Sequence, residues 1–142
     1  MIEQRFVIDT NVLSELARPA PDARVVEWFR GLVAPATSSI SMYELSRGIE
    51  RMPRGKRRTF LEGWLAELLR VLVVLPVDAN VALAAARIES AAQRTGRSVE
   101  VRDLLVVATA QAHGLPLSTR NVDHTRGLGI VVYDPFRDLR TL

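Results

Sequence analysis

The sequence predicts an α/β fold built on a mostly parallel sheet flanked by helices. Two patterns carry that expectation. Short apolar runs bounded by turn residues alternate with longer stretches whose apolar residues recur at helical spacing. Most strands are separated by helices, which implies βαβ units with right-handed crossovers. No internal repeat, low-complexity segment or long linker interrupts the chain, so residues 1–142 are expected to form one domain.

The elements follow in order. Arg5–Ile8 reads as a buried strand, and Thr10–Ala17 as a helix stopped by Pro19. Asp22 can cap a second helix, Ala23–Leu32, with Val25, Val26, Phe29 and Leu32 on one face. Beyond Pro35, Thr37–Ile40 reads as a short strand and Met42–Met52 as a helix ended by Pro53-Arg54-Gly55. Arg57–Leu69 is amphipathic, with Phe60, Leu61, Trp64, Leu65 and Leu68 at helical spacing. Val71–Val77 contains a strand. Asp78 caps a long helix to about Arg94, closed by Gly96. Ser98 opens the next, Val101–His113, closed by Gly114. Leu117–Thr119 and Ile130–Tyr133 complete the strands.

Composition narrows the chemistry. A hydrophobic fraction of 48% with 25% charged residues is that of a globular domain, and excludes a disordered chain. With no cysteine there is no disulfide framework, thiolate metal site or thiol nucleophile. No signal peptide is expected at the N-terminus, and no window has the length of a membrane span. A cytoplasmic protein without a membrane partner is the expectation. The net charge of +3 is compatible with a nucleic-acid partner. Arg51, Arg54, Lys56, Arg57 and Arg58 form the densest basic cluster, around Pro53 and Gly55, on an expected turn between helices.

The informative residues are acids at element boundaries. Asp9 directly follows the apolar run Phe6-Val7-Ile8 and precedes a helix. In open α/β sheets, ligands bind in the crevice outside the carboxyl ends of the strands. Helix capping alone would also explain Asp9. Asp103 opens Leu104-Leu105-Val106-Val107-Ala108, a run apolar around nearly its whole circumference and therefore central in the fold. Glu44 ends Ser41-Met42-Tyr43-Glu44, which matches a capping box but also leaves a strand end. Ser118-Thr119-Arg120-Asn121-Val122-Asp123-His124 packs varied polar groups at another strand end.

Acids converging on one crevice need a counter-charge, and a divalent cation supplies one. Oxygen ligands point to Mg²⁺ or Mn²⁺, an apparatus suited to phosphodiester hydrolysis. No Ser/His/Asp triad is visible, and two histidines without cysteine make a poor zinc set.

Four stretches in this order resemble PIN-domain ribonucleases, and within them the VapC-type toxins of bacterial toxin–antitoxin pairs. They are Val7-Ile8-Asp9-Thr10-Asn11-Val12-Leu13-Ser14-Glu15-Leu16, Ser39-Ile40-Ser41-Met42-Tyr43-Glu44-Leu45-Ser46-Arg47-Gly48-Ile49, Asp103 to Ala110 with His113-Gly114, and Ser118-Thr119-Arg120-Asn121 with Gly127-Leu128-Gly129. The resemblance implies a sheet of about five parallel strands and Mg²⁺- or Mn²⁺-dependent cleavage of RNA. It assigns Asp9, Glu44 and Asp103 to the principal acids, with Asp9 and Asp103 tied to metal. Thr10, Asn11, Thr119 and Asn121 match supporting residues, and Arg120 a phosphate contact. It further implies a homodimer and a cognate antitoxin, with assembly on operator DNA. One departure stands out. Many relatives carry a fourth acid where this chain has His124, and the acid here, Asp123, comes one place earlier; Asp123 is the expected fourth catalytic acid. The alternatives are a PIN nuclease of RNA processing without an antitoxin, and a non-catalytic α/β regulatory or RNA-binding module. Asn11, two places after Asp9, argues against a dehalogenase-type phosphatase, and the sole lysine, Lys56, against a receiver domain.

Overall fold

The computed structural model describes residues 5–141. The elements are β1 (Val7–Ile8), α1 (Thr10–Glu15), α2 (Ala23–Arg30), β2 (Ala36–Ser38), α3 (Ser39–Glu50), α4 (Lys56–Val71), β3 (Val73–Leu75), α5 (Ala79–Arg94), α6 (Val101–Ala112), β4 (Leu117–Ser118), α7 (Val122–Thr125), β5 (Val132–Asp134) and β6 (Leu139–Thr141). They form one six-stranded sheet in the order β3-β2-β1-β4-β5-β6. The first five strands in that order pair in parallel, and β6 closes the edge antiparallel to β5.

Alternation along β1 divides the core. Val7 points to one face of the sheet, where it packs with Val81, Ala84, Ala85 and Ile88 of α5 and Val106 and Val107 of α6. Phe6 and Ile8 point to the other, with Val12 and Leu13 of α1, Val25 of α2, Leu45 of α3 and Leu68 of α4. Helices therefore cover both faces, as a buried parallel sheet requires. Asp22 and Asp78 cap α2 and α5 as expected, accepting from the backbone N–H of Arg24 and Val81.

Three expectations are corrected. Strand β2 ends at Ser38, and the helix begins at Ser39 rather than Met42. The cap is Ser38, whose hydroxyl accepts from the Ile40 N–H at 3.1 Å. Ser41 is buried within the helix, so Ser41–Glu44 is not a capping box. Helix α6 is capped by Glu100, not opened by Ser98. The sheet has a sixth strand, β6, and a short helix, α7, beyond the expected elements.

The strand order fixes where a site can form. From β1 the chain builds outward through β2 and β3, then returns to add β4 and β5 on β1's other side. The seam between β1 and β4 is thus the topological switch point, where strand ends diverge and leave a crevice. No helix among the described residues is long and apolar enough to cross a membrane.

Candidate metal centre

Asp9 and Thr119 follow the two strands at this seam. The Asp9 N–H donates to the Ser118 carbonyl at 2.8 Å, which sets the loops after β1 and β4 side by side. The Asp9 carboxylate is buried and closely held. One oxygen accepts from the Thr10 N–H at 2.8 Å. The other accepts from the Thr119 hydroxyl at 2.9 Å and more weakly from Asn11 Nδ2 at 3.4 Å. The Thr119 hydroxyl oxygen in turn accepts from Asn11 Nδ2 and from the Asn121 N–H, each at 3.1 Å. Asn11 Oδ1 accepts from the Arg120 N–H at 3.1 Å. The supporting residues expected from sequence therefore form one network around Asp9, and Asn121 joins it through its backbone.

Asp9 does serve as the N-cap of α1, so the capping reading was correct as far as it went. It is not the whole account. Burial pushes its carboxyl up from 3.8 to about 6; hydrogen bonds from Thr119 and Thr10 oppose the shift, and the charges of Asp103 and Glu44 add to it. A residue serving only as a cap has no need of two neighbouring acids that destabilise its charge.

Glu44 comes from the second turn of α3. Its Oε1 accepts from the Thr10 hydroxyl at 2.7 Å, which ties it to the residue beside Asp9. Asp103 comes from the first turn of α6, partly buried, with its carboxyl shifted upward by burial and then by the charge of Glu100. The turn after β1 and two helices, α3 and α6, thus bring acids near enough at the switch point for Asp103 and Glu44 to act on the Asp9 carboxyl. Asp103 also lines a cleft of about 340 Å³ with Arg97, Glu100, Asp123 and His124.

Asp123 lines the cleft beside Asp103 but is not among the charges acting on Asp9 or Asp103. Its side chain is 86% exposed and paired with Arg126 at 3.4 Å. It sits on α7, where the backbone turns and the alternation expected of an extended chain does not apply. His124 lines the same cleft as Asp103. The Arg120 guanidinium lies over the Phe136 ring, 4.5 Å from its centroid, a cation–π contact.

Two residues of the site were not foreseen. Glu100 caps α6, accepting from the N–H groups of Arg102 and Asp103. Arg102 pairs with Glu100 at 3.2 Å and reaches Glu44 at 3.9 Å. Glutamate is an uncommon N-cap, and no local pattern marks Arg102.

The donor chemistry fits a hard divalent cation. Every carboxylate donor at the crevice offers oxygen, and the buried Asp9 would gain most from a cation beside it. Among the described residues no three acidic, imidazole or thiol side chains form a ready cage for an ion. Mg²⁺ is commonly held by one or two carboxylates and retains several waters, so Asp9 and Asp103 would suffice.

A family model described as the PIN domain matches residues 6–127. The chain is 33% identical to Toxin FitB of Neisseria gonorrhoeae over 138 residues, spanning 94% of this chain and 99% of that protein. It is 34% identical to VapC ribonuclease Y4jK of Sinorhizobium fredii over 136 residues, spanning 92% of this chain and 97% of that one. The structure of FitAB bound to an IR36 DNA fragment superposes with a TM-score of 0.86 at 30% identity, covering 92% of this chain and 95% of that one.

Proposed function

The chain belongs to the PIN-domain family, and on that premise we propose that it is a Mg²⁺- or Mn²⁺-dependent endoribonuclease, the toxin of a toxin–antitoxin pair. The observation that carries the reading is the buried Asp9 carboxylate at the switch point, raised to about 6 with Asp103 and Glu44 acting on it. Relatives named as a toxin and as a ribonuclease along nearly their whole length support it.

Asp9 and Asp103 would hold the metal, which when bound supplies charge stabilisation at a phosphoryl oxygen and lowers the pKa of water. The chain's own groups do the rest. Thr10, Asn11 and Thr119 fix Asp9, so that little reorganisation remains when a substrate arrives. Glu44, steadied by the Thr10 hydroxyl, would accept a proton from an attacking water. Arg120, whose guanidinium lies over the Phe136 ring, would meet a backbone phosphate.

The partners proposed are RNA as substrate, a second copy of the chain as homodimer, and an antitoxin carrying the pair to operator DNA. The FitAB structure, bound to DNA, supports the last of these. The direct test is cleavage of cellular RNA by purified protein with Mg²⁺, with Mn²⁺ and with chelator. Cleavage that requires the cation and is absent in Asp9→Asn is the expected result. Cation-independent cleavage, or none from folded protein with either ion, overturns the reading. Growth arrest on expression alone, relieved by co-expression of a cognate antitoxin, separates a toxin from a processing nuclease.

A further inference from the structure

We propose that Arg102 is the resident counter-ion of the acidic site, a positioning residue that steadies Glu44 in the metal-free protein and opposes metal uptake by its charge. The inference rests on the metal-dependent reading above. Arg102 stands in the first turn of α6, next to Asp103. Its Nε donates to Glu100 Oε1 at 3.2 Å. Glu100 is itself fixed, because its other oxygen caps the helix by accepting from the N–H groups of Arg102 at 2.9 Å and Asp103 at 3.3 Å. Anchored there, the guanidinium extends Nη1 toward Glu44 Oε2 at 3.9 Å.

That separation is too long for a hydrogen bond, so what Arg102 gives Glu44 is charge. Among the described residues, no other lysine or arginine pairs with Asp9, Glu44 or Asp103. Its side chain is 38% exposed. It can therefore turn toward solvent without disturbing the core.

A cation that compensates these acids must also repel a second cation. Removing Arg102 should therefore have two effects of opposite sign: the metal-free protein loses a compensating charge, while the metal gains a more negative site. A salt bridge with a purely structural role would change only the first. An arginine acting only as a phosphate contact would leave metal affinity unchanged.

The test uses the full chain as wild type, Arg102→Gln and Arg102→Lys. Mn²⁺ binding is titrated by the electron paramagnetic resonance of free Mn²⁺, and melting temperature is measured in chelator. Arg102→Gln should bind Mn²⁺ roughly three- to tenfold more tightly and melt about 2–4 °C lower without metal. Arg102→Lys, which keeps the charge, should stay near wild type in both. Unchanged or weaker Mn²⁺ binding by Arg102→Gln, with normal uptake by wild type, overturns this inference alone. A wild-type protein that takes up no Mn²⁺ overturns the metal-dependent reading with it.

Discussion

The two walls of the crevice are built differently. On the β1–β4 wall, Asp9 is buried and bound by donors from Thr10, Asn11 and Thr119, with Thr119 itself held by Asn11 and Asn121. On the α6–α7 wall, Asp103 is partly exposed and Asp123 lies in solvent. Here the loop is held from outside: Arg97 donates to the carbonyls of Arg126, Asp123 and His124. The first wall is set before any ligand arrives. The second carries charge that a ligand can draw in. On the proposed function, such a site would keep one metal ligand rigid and leave the other side open to RNA.

The sharpest way to break the comparison is to remove the acid on each wall. Asp9→Asn and Asp103→Asn should each lower metal-dependent cleavage by at least about 10²-fold. Their stabilities should differ. Asp9→Asn removes a buried charge and should leave the metal-free melting temperature unchanged or higher, whereas Asp103→Asn, on the open wall, should move it little. Normal cleavage by either variant would dissolve the metal-site reading.

Next come the residues that support the closed wall. Thr119→Val deprives Asp9 of its shortest side-chain donor and leaves the Asn121 N–H without its acceptor. Cleavage should fall roughly 10–100-fold, and stability by about 1–3 kcal/mol. Glu44→Gln should lower cleavage in the same roughly 10–100-fold range with little change in melting temperature. Full activity with glutamine would make Glu44 a structural partner of Thr10.

These residues differ in how legible they were in the sequence. Asp9 and Asp103 could be read directly, because an acid against an apolar strand or at the head of an apolar helix stands out. The parallel α/β class followed from the same alternation. Glu44 was obscured because Ser41-Met42-Tyr43-Glu44 imitates a cap. Only the position of Ser38 at the end of β2 shows that the helix starts earlier. Strand β6 lacks a signal because Leu139 and Arg140 are exposed at a sheet edge and present no buried alternation. Arg102 acquires its role only when α3 and α6 meet, a contact no local pattern encodes.

Acidity offers a readout of the closed wall that does not need catalysis. The folded, metal-free protein holds the Asp9 proton up to about 6, whereas its ordinary value is 3.8. Between these values the folded state binds more protons at Asp9 than the unfolded chain does. The Asp9 contribution to stability, at most about 3 kcal/mol, should therefore fall as pH rises from ~4 to ~6, against the opposite contributions of Asp22 and Glu100, whose carboxyls are held low. Below the window this contribution is fully present, and above it is gone. Denaturant unfolding in chelator across that range should show it as a pH-dependent difference between wild type and Asp9→Asn. A difference between wild type and Asp9→Asn that does not change with pH across this range would mean that Asp9 is not desolvated.

The smallest expected effect lies on the open wall, and it tests whether α7 contributes to chemistry at all. Asp123 was the expected fourth acid because a hard cation prefers carboxylate oxygen. In the structure its carboxylate faces Arg126 and solvent. An exposed pair of this kind contributes about 0–1 kcal/mol. Asp123→Asn should therefore change cleavage by less than about threefold, in keeping with so weak a contact. His124 lines the same cleft as Asp103, so His124→Ala should cost more, roughly ten-fold if it orients groups at the metal. Both should be compared at fixed Mg²⁺ and again at tenfold higher Mg²⁺. A severe loss in Asp123→Asn, partly rescued by the higher concentration, would show that α7 turns its acid inward when metal binds. The open wall would then be a moving ligand, and its difference from the Asp9 wall one of timing rather than of chemistry.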